Sequence, residues 1–251
     1  MRFCVPIPCF FRNADFCDAL RRVRALGFDA AETYDWKPLD REKVKNTCEE
    51  VGVTLLSMCT TNFELTRPER RDGFLAGLSE SVRAAHEMNV GKLITQVGND
   101  CGRERRYQHE SIVEGLRRSI PILEEYGTTL MIEPLNKHVD HPGYYLSTSD
   151  EAFEIVREVN HPLVRVVFDI YHQQITEGNI IPNLTENLAY IAHLHAAGHP
   201  GRHELQNGES DYRNIFAAAD RAGYTGYCGL EYSPTEEAEE SLRTALALYG
   251  N

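Results

Sequence analysis

The sequence has no two cysteines spaced C-x-x-C, although it contains seven. Their odd number and scatter imply free thiols rather than a disulfide framework. Met1 leads directly into Arg2-Phe3-Cys4-Val5-Pro6, which reads as a strand and not as a secretory leader. Both features point to a reducing, cytoplasmic location. No apolar run approaches the roughly 20 residues needed to span a bilayer. Neither G-x-G-x-x-G nor a Walker motif is present, which argues against an open, doubly wound nucleotide-binding sheet. Positive charge is scarce: 26 Lys and Arg face 38 Asp and Glu, a formal net charge of −12, so nucleic acid and anionic membrane are poor partners. A small anionic substrate stays open, because one arginine or a metal ion can reverse the field inside a pocket. Linker-like and low-complexity stretches are missing as well, so one domain over residues 1–251 is the economical reading.

What is present is an alternation of short apolar runs with longer amphipathic segments. The runs at residues 3–7, 30–33, 54–59, 92–97, 129–135, 165–171, 193–197 and 227–232 read as strands. Several are almost continuously hydrophobic, as parallel strands covered by helices are. Helical patterns follow at residues 14–26, 40–50, 68–88, 110–126, 149–159, 184–189, 212–222 and 235–248. Pro68 suits a helix start, and Gly27 and Gly127 suit helix stops. Eight strand–helix pairs in 251 residues match an α/β fold of the (β/α)8 TIM-barrel type.

A barrel of this kind builds its active site at the C-terminal strand ends, and consecutive strands from the fifth onward end in ionisable residues. Glu133 follows Leu130-Met131-Ile132, and Glu231 follows Cys228-Gly229-Leu230. An acid placed there must be paired or bound to metal, since an isolated buried charge costs several kcal/mol. A structural ion pair under the rim is the competing reading at Glu133. Asp169 interrupts the apolar run Val166-Val167-Phe168, with His172 three residues on in the expected loop; a turn cap and an idle loop histidine are the competing readings. His193 and His195 lie on one side of a regular strand. His195, nearer the mouth, is the better ligand, and His193 reads as a satisfied interior histidine. Glu133, Asp169, His195 and Glu231 together suit Mn²⁺ or Mg²⁺ and tolerate Co²⁺ or Zn²⁺. Arg202, among the turn residues Gly198-His199-Pro200-Gly201, can form a bidentate pair with a carboxylate or serve as a surface arginine. Cys4, Cys59 and Cys228 fall in strands and read as small buried hydrophobes. Trp36, Phe63, Tyr144 and Tyr145 suit either the pocket wall or packing.

The stretches E-P-L-N at Glu133, F-D-I-Y-H at residues 168–172, P-G-R-H-E at residues 200–204 and L-E-Y at Leu230 resemble the hydroxypyruvate isomerase family, among the xylose-isomerase-like barrels. The resemblance is strongest from about Thr129 to Pro234. It implies that Glu133, Asp169, His195 and Glu231 hold a divalent metal. It also implies that Glu133 and Glu231 are the catalytic proton carriers, and that His172 and Arg202 contact substrate oxygens. The expected activity interconverts an α-hydroxy ketone and an α-hydroxy aldehyde, such as hydroxypyruvate and tartronate semialdehyde, through an enediolate. Ketose 3-epimerisation, 2-oxo-tetronate isomerisation and a non-catalytic sugar-binding barrel are the alternatives. One departure bears on substrate: His195 stands where these isomerases commonly have Gln, as in the related epimerases. The expected partner is a small hydroxy-carbonyl molecule, and a homo-oligomer is compatible with all of this.

Overall fold

In the computed structural model, which describes residues 1–250, eight parallel strands close a barrel in sequential order. They are β1 (Arg2–Pro6), β2 (Ala30–Glu32), β3 (Thr54–Cys59), β4 (Lys92–Thr95), β5 (Thr129–Ile132), β6 (Val164–Asp169), β7 (Ile191–Ala196) and β8 (Tyr227–Leu230). β1 pairs with both β2 and β8, so no edge is left open. The α-helices are α1 (Ile7–Phe10), α2 (Phe16–Ala25), α3 (Arg41–Val51), α4 (Arg71–Glu87), α5 (Arg105–Tyr126), α6 (Ser149–Val159), α7 (Ile170–Thr176), α8 (Ile180–Glu186), α9 (Tyr212–Arg221) and α10 (Ala238–Tyr249). The expected TIM barrel is what forms. Among the described residues no helix is long and apolar enough to cross a membrane.

Local chemistry sets the helix ends. Asp15, Asp40 and Asp211 cap α2, α3 and α9 by accepting backbone N–H groups of the first turn, which would otherwise lack partners. Gly127 ends α5 in the left-handed conformation (φ 67°). At Gly27 the backbone is also left-handed, one residue beyond the C-cap of α2.

Several expected boundaries shift. The runs expected at 129–135, 92–97 and 227–232 stop pairing early, and their last residues become mouth loops. The seventh strand begins at Ile191, not at 193. Residues 165–171 are split. Asp169 ends β6 and caps α7 by accepting the Tyr171 N–H at 2.8 Å, so Tyr171 and His172 are helical rather than strand and loop. The helix expected at 184–189 ends at Glu186, followed by a 3-10 turn over Leu188–Tyr190. The helix expected from 110 starts a turn earlier, at Arg105. Pro68 opens a 3-10 turn, and the α-helix proper starts at Arg71.

The main core fills the space between barrel and helices. Phe153 of α6, fully buried, stacks on Phe168 of β6 with centroids 6.4 Å apart and planes 5° from parallel. Inside the barrel a small apolar layer of Ile94, Met131 and Val167 lies among polar residues. Phe153→Ala removes a ring from the wall that fixes β6, and should cost about 3–5 kcal/mol. Urea unfolding of variant and parent measures it; a loss under about 1 kcal/mol would show that this wall collapses freely.

Candidate active site

Strands β5 to β8 deliver the expected four side chains to one point at the mouth. Glu133 follows β5 directly, Asp169 ends β6, His195 is the fifth residue of β7, and Glu231 follows β8. Asp169 and His195 are register partners across β6 and β7. On the other flank His195 faces Gly229 of β8. A β-carbon on Gly229 would lie 2.7 Å from the His195 ring and 2.8 Å from Glu32 Oε1, so only glycine lets the imidazole lie flat there. One donor atom from each of Glu133, Asp169, His195 and Glu231 lies within 4.8 Å of the others. His195 Nδ1 stands 3.4 Å from both Glu133 Oε1 and Glu231 Oε2.

The other two expected site residues also converge. His172 on α7 has its Nε2 3.5 Å from Asp169 Oδ2. Arg202 places Nη2 2.5 Å from Glu231 Oε2 and 3.8 Å from Asp169 Oδ2. Its guanidinium therefore lies against the acids and is no surface arginine. Its backbone is left-handed (φ 56°), unusual for a long side chain. Above the cluster opens a cavity of about 490 Å³, lined by Tyr34, Trp36, Phe63, Glu133, His172 and Arg202 among others, in the range that takes small ligands. Tyr144 and Tyr145 are not on its wall. Tyr144 donates to the Glu133 carbonyl oxygen at 3.0 Å, which steadies the backbone that carries the acid.

Beneath His195 lies a carboxylate that the sequence pattern did not single out. Glu32, at 0% exposure, accepts from Cys4 Sγ (2.6 Å) and Ser57 Oγ (3.0 Å), and pairs with His193 Nε2 (2.7 Å) and His195 Nε2 (3.0 Å). Cys4 is thus a hydrogen-bond donor, not simply an apolar filler. His193 is an interior histidine as expected, although its Nδ1 has no partner. The signal was available, since Glu32 ends an Ala-Ala run as Glu133 ends Leu-Met-Ile, but the run is too short to stand out.

Electrostatics separate the acids. Burial, with the charge of Glu231 adding to it, pushes Asp169 up to about 7. Burial also raises Glu133, against the pull of His195. Burial opposes the charge of Glu231 too, but His195 and Arg202 outweigh it and hold that carboxyl low. Burial alone would discharge His195; Glu231 and Glu32 on either side reverse this and hold its pKa well above the ordinary imidazole value. Burial keeps Cys59 on the cavity wall a protonated thiol, a poor nucleophile.

The residues fit a divalent cation. Glu133 Oε1, Asp169 Oδ2 and His195 Nδ1 are buried, face one another and have no hydrogen-bond partner. Buried polar atoms are rarely left so. Three carboxylates and one imidazole, without thiolate, match a hard or borderline ion.

The sequence pattern described as xylose isomerase-like TIM barrel matches residues 20–248. The chain belongs to that family. A 2-oxo-tetronate isomerase of Cupriavidus necator is 43% identical over 246 residues, covering 93% of each chain. The hydroxypyruvate isomerase of Escherichia coli is 28% identical over 255 residues, covering 97% of each. A crystal structure named as an AP endonuclease, family 2, from Brucella melitensis superposes with a TM-score of 0.93 at 25% identity, covering 99% of each chain. Both enzymes compared by sequence are isomerases, and this member of the xylose isomerase-like barrels is an isomerase.

The site's charge makes the ion-free protein pH-sensitive in a stated direction. Asp169 at about 7 holds a proton that an unfolded aspartic acid, with its usual pKa of about 4, releases. In that window the folded state binds more protons, so stability falls as pH rises. His195, raised, acts in the same direction, since its contribution is complete below the ordinary imidazole value and is lost as pH rises through the folded one. His172 and His193, held below the ordinary imidazole value by burial, act the other way, so the sign is read by difference: from about pH 5 to about pH 8 the chelator-treated parent should lose more melting temperature, or gain less, than Asp169→Asn. Equal slopes in parent and variant would contradict the placement of that proton.

Proposed function

We propose that this isomerase moves a proton between neighbouring carbons of a short 2-oxo acid bearing an adjacent hydroxyl, with a four-carbon 2-oxo-tetronate as the preferred class and hydroxypyruvate as the smaller alternative. The observation that carries the reading is the pair Glu133 and Glu231, each 3.4 Å from His195 Nδ1, at a cavity sized for a small molecule. The relative at 43% identity favours the four-carbon acid over the three-carbon one expected from the motifs. An endonuclease activity finds no support in a chain of net charge −12, because DNA affinity comes mainly from cationic contacts to phosphate.

Glu133, Asp169, His195 and Glu231 would hold the divalent ion, Mn²⁺ or Mg²⁺ by ligand chemistry, with Co²⁺ or Zn²⁺ tolerated. When bound it supplies Lewis acidity to the substrate carbonyl and hydroxyl oxygens, which acidifies the adjacent C–H. The protein's own groups then do the rest. One glutamate removes the proton from the hydroxyl-bearing carbon, leaving an enediolate, and a carboxylic acid returns a proton at the former carbonyl carbon. Their separated affinities fit the division: Glu231 stays ionised, and Glu133 takes up a proton more readily. Arg202 and His172 face the developing negative charge. The Arg202 fork, already spanning Glu231 and Asp169, would share its donors with the substrate carboxylate.

Three measurements test this. Chelation should abolish turnover, and Mn²⁺ should restore it; full activity after chelation contradicts the reading. In heavy water a 2-oxo acid should gain deuterium at the carbon that was its carbonyl. A ketose labelled at C3 without change of carbonyl position would instead mean epimerisation, the activity that His195 also permits. Arg202→Lys loses the planar fork, and Arg202→Ala loses the charge. For an acid substrate, the transition-state stabilisation read from kcat/KM should fall by about 2–5 kcal/mol in Arg202→Ala and by less in Arg202→Lys. A neutral ketose should lose only about 0.5–1.5 kcal/mol. Equal small losses on both would remove the carboxylate from the reading.

A further inference from the structure

Asn136 closes the stretch Glu133-Pro134-Leu135-Asn136 and is completely buried, yet neither the ion nor the proton transfer uses it. Its side-chain oxygen accepts the backbone N–H groups of Val139 at 2.9 Å and Asp140 at 3.2 Å. Two donors on Oδ1 settle which way the amide points, since an NH2 group cannot accept them. The amide nitrogen therefore faces the other way. It lies 2.7 Å from Asp140 Oδ2 and 2.7 Å from His172 Nδ1. The backbone N–H of Asn136 also points to His172 Nδ1, at 3.3 Å.

His172 Nδ1 thus meets two donors and no acceptor. It must carry the lone pair, so the single proton of the neutral ring is on Nε2. That Nε2 is buried and without a hydrogen-bond partner, and the ring lines the cavity. The two donors themselves require a neutral ring, since a doubly protonated imidazole would set a third N–H against them at Nδ1.

We propose that Asn136 is a positioning residue that locks His172 in the Nε2–H tautomer, so that the ring presents a hydrogen-bond donor, and never an acceptor, to a substrate oxygen in the cavity. The substrate half of this rests on the isomerase reading above; the tautomer half does not. A neutral donor suits this site. It stabilises developing negative charge on the substrate without adding a cation that would compete for the carboxylates. The fixed amide also prevents the ring from flipping to offer a lone pair, which would repel the same oxygen.

The test separates the two halves. Nitrogen-15 histidine spectra of the wild-type protein should show the His172 resonances of an Nε2–H tautomer; an Nδ1–H pattern overturns the proposal without any variant. Asn136→Asp keeps an acceptor for Val139 and Asp140 but turns the group facing Nδ1 from donor to acceptor. Recorded where the His172 shifts report a neutral ring, it should move the proton to Nδ1. It should also lower kcat about 100-fold, the scale of losing one oriented donor to a developing oxyanion, with KM and Mn²⁺ affinity within about threefold of the parent. In a His172→Ala background the same substitution should change kcat by less than about twofold, because the effect acts through the ring. An equal loss with and without His172 makes Asn136 merely structural and overturns the role. If Asn136→Asp does not fold, the wild-type spectrum and the His172→Ala kcat decide, the latter expected to fall by the same 100-fold. A correct tautomer in a protein that turns over no 2-oxo acid would refute the proposed function and with it the substrate half alone.

Discussion

Three carboxylates crowd around one imidazole in a nearly dry place: Asp169 and His195 are 1% exposed and Glu133 is 7% exposed. Like charges at this spacing repel, and burial deprives them of the water that would screen the repulsion. Burial and the charge of Glu231 raise Asp169 to about 7, and the Arg202 guanidinium lies against Glu231. The arrangement persists because each acid is fixed at a strand end, where the backbone is already committed to the ladder. A divalent ion would convert the same repulsion into coordination, so the feature that destabilises the ion-free fold is the one that recruits the ion.

The barrel supports this with two different layers. Outside the strands, aromatic and aliphatic packing of the Phe153–Phe168 kind supplies the stability that the site spends. Inside, the floor beneath His195 is polar. Glu32, pinned by Cys4, Ser57 and His193, meets the Nε2 edge of His195 and leaves the Nδ1 edge toward the acids. This is the arrangement of a carboxylate behind a metal-ligating histidine, which orients the ring and raises its basicity. The Gly229 gap in β8 admits both groups at once. His172 is held in a corresponding way from the rim, by the buried amide of Asn136 rather than by a carboxylate. The Nδ1 edge of His195 thereby faces the acids, and the Nε2 edge of His172 faces the cavity.

Much of this was present in the sequence because it is local. Near-continuous apolar runs, the amphipathic segments between them, and the stops at Gly27 and Gly127 depend on residues a few positions apart. The acids were legible for the same reason: Glu133, Asp169 and Glu231 each interrupt or follow an apolar run, and an unpaired charge there demands a function. Their convergence followed from eight strand–helix pairs closing a barrel, a rule of topology and not of any one residue.

Tertiary structure decided what depends on contacts between distant segments. Glu32 meets His193 and His195 across 161 and 163 residues, and no local pattern announces such a pairing. Whether Arg202 is a surface cation or a neighbour of Glu231 was open until the loop after β7 folded over β8. The helix Ile170–Thr176 was hidden because its apolar residues continue the β6 run, and only the Asp169 cap separates the two. The amide of Asn136 could have pointed either way in the sequence; the turn at Val139 and Asp140 chose its direction, and with it the proton on His172. Residue identity determined which groups could bear charge or accept a proton. The fold determined what each of them faces, because hydrogen bonding and desolvation act through space.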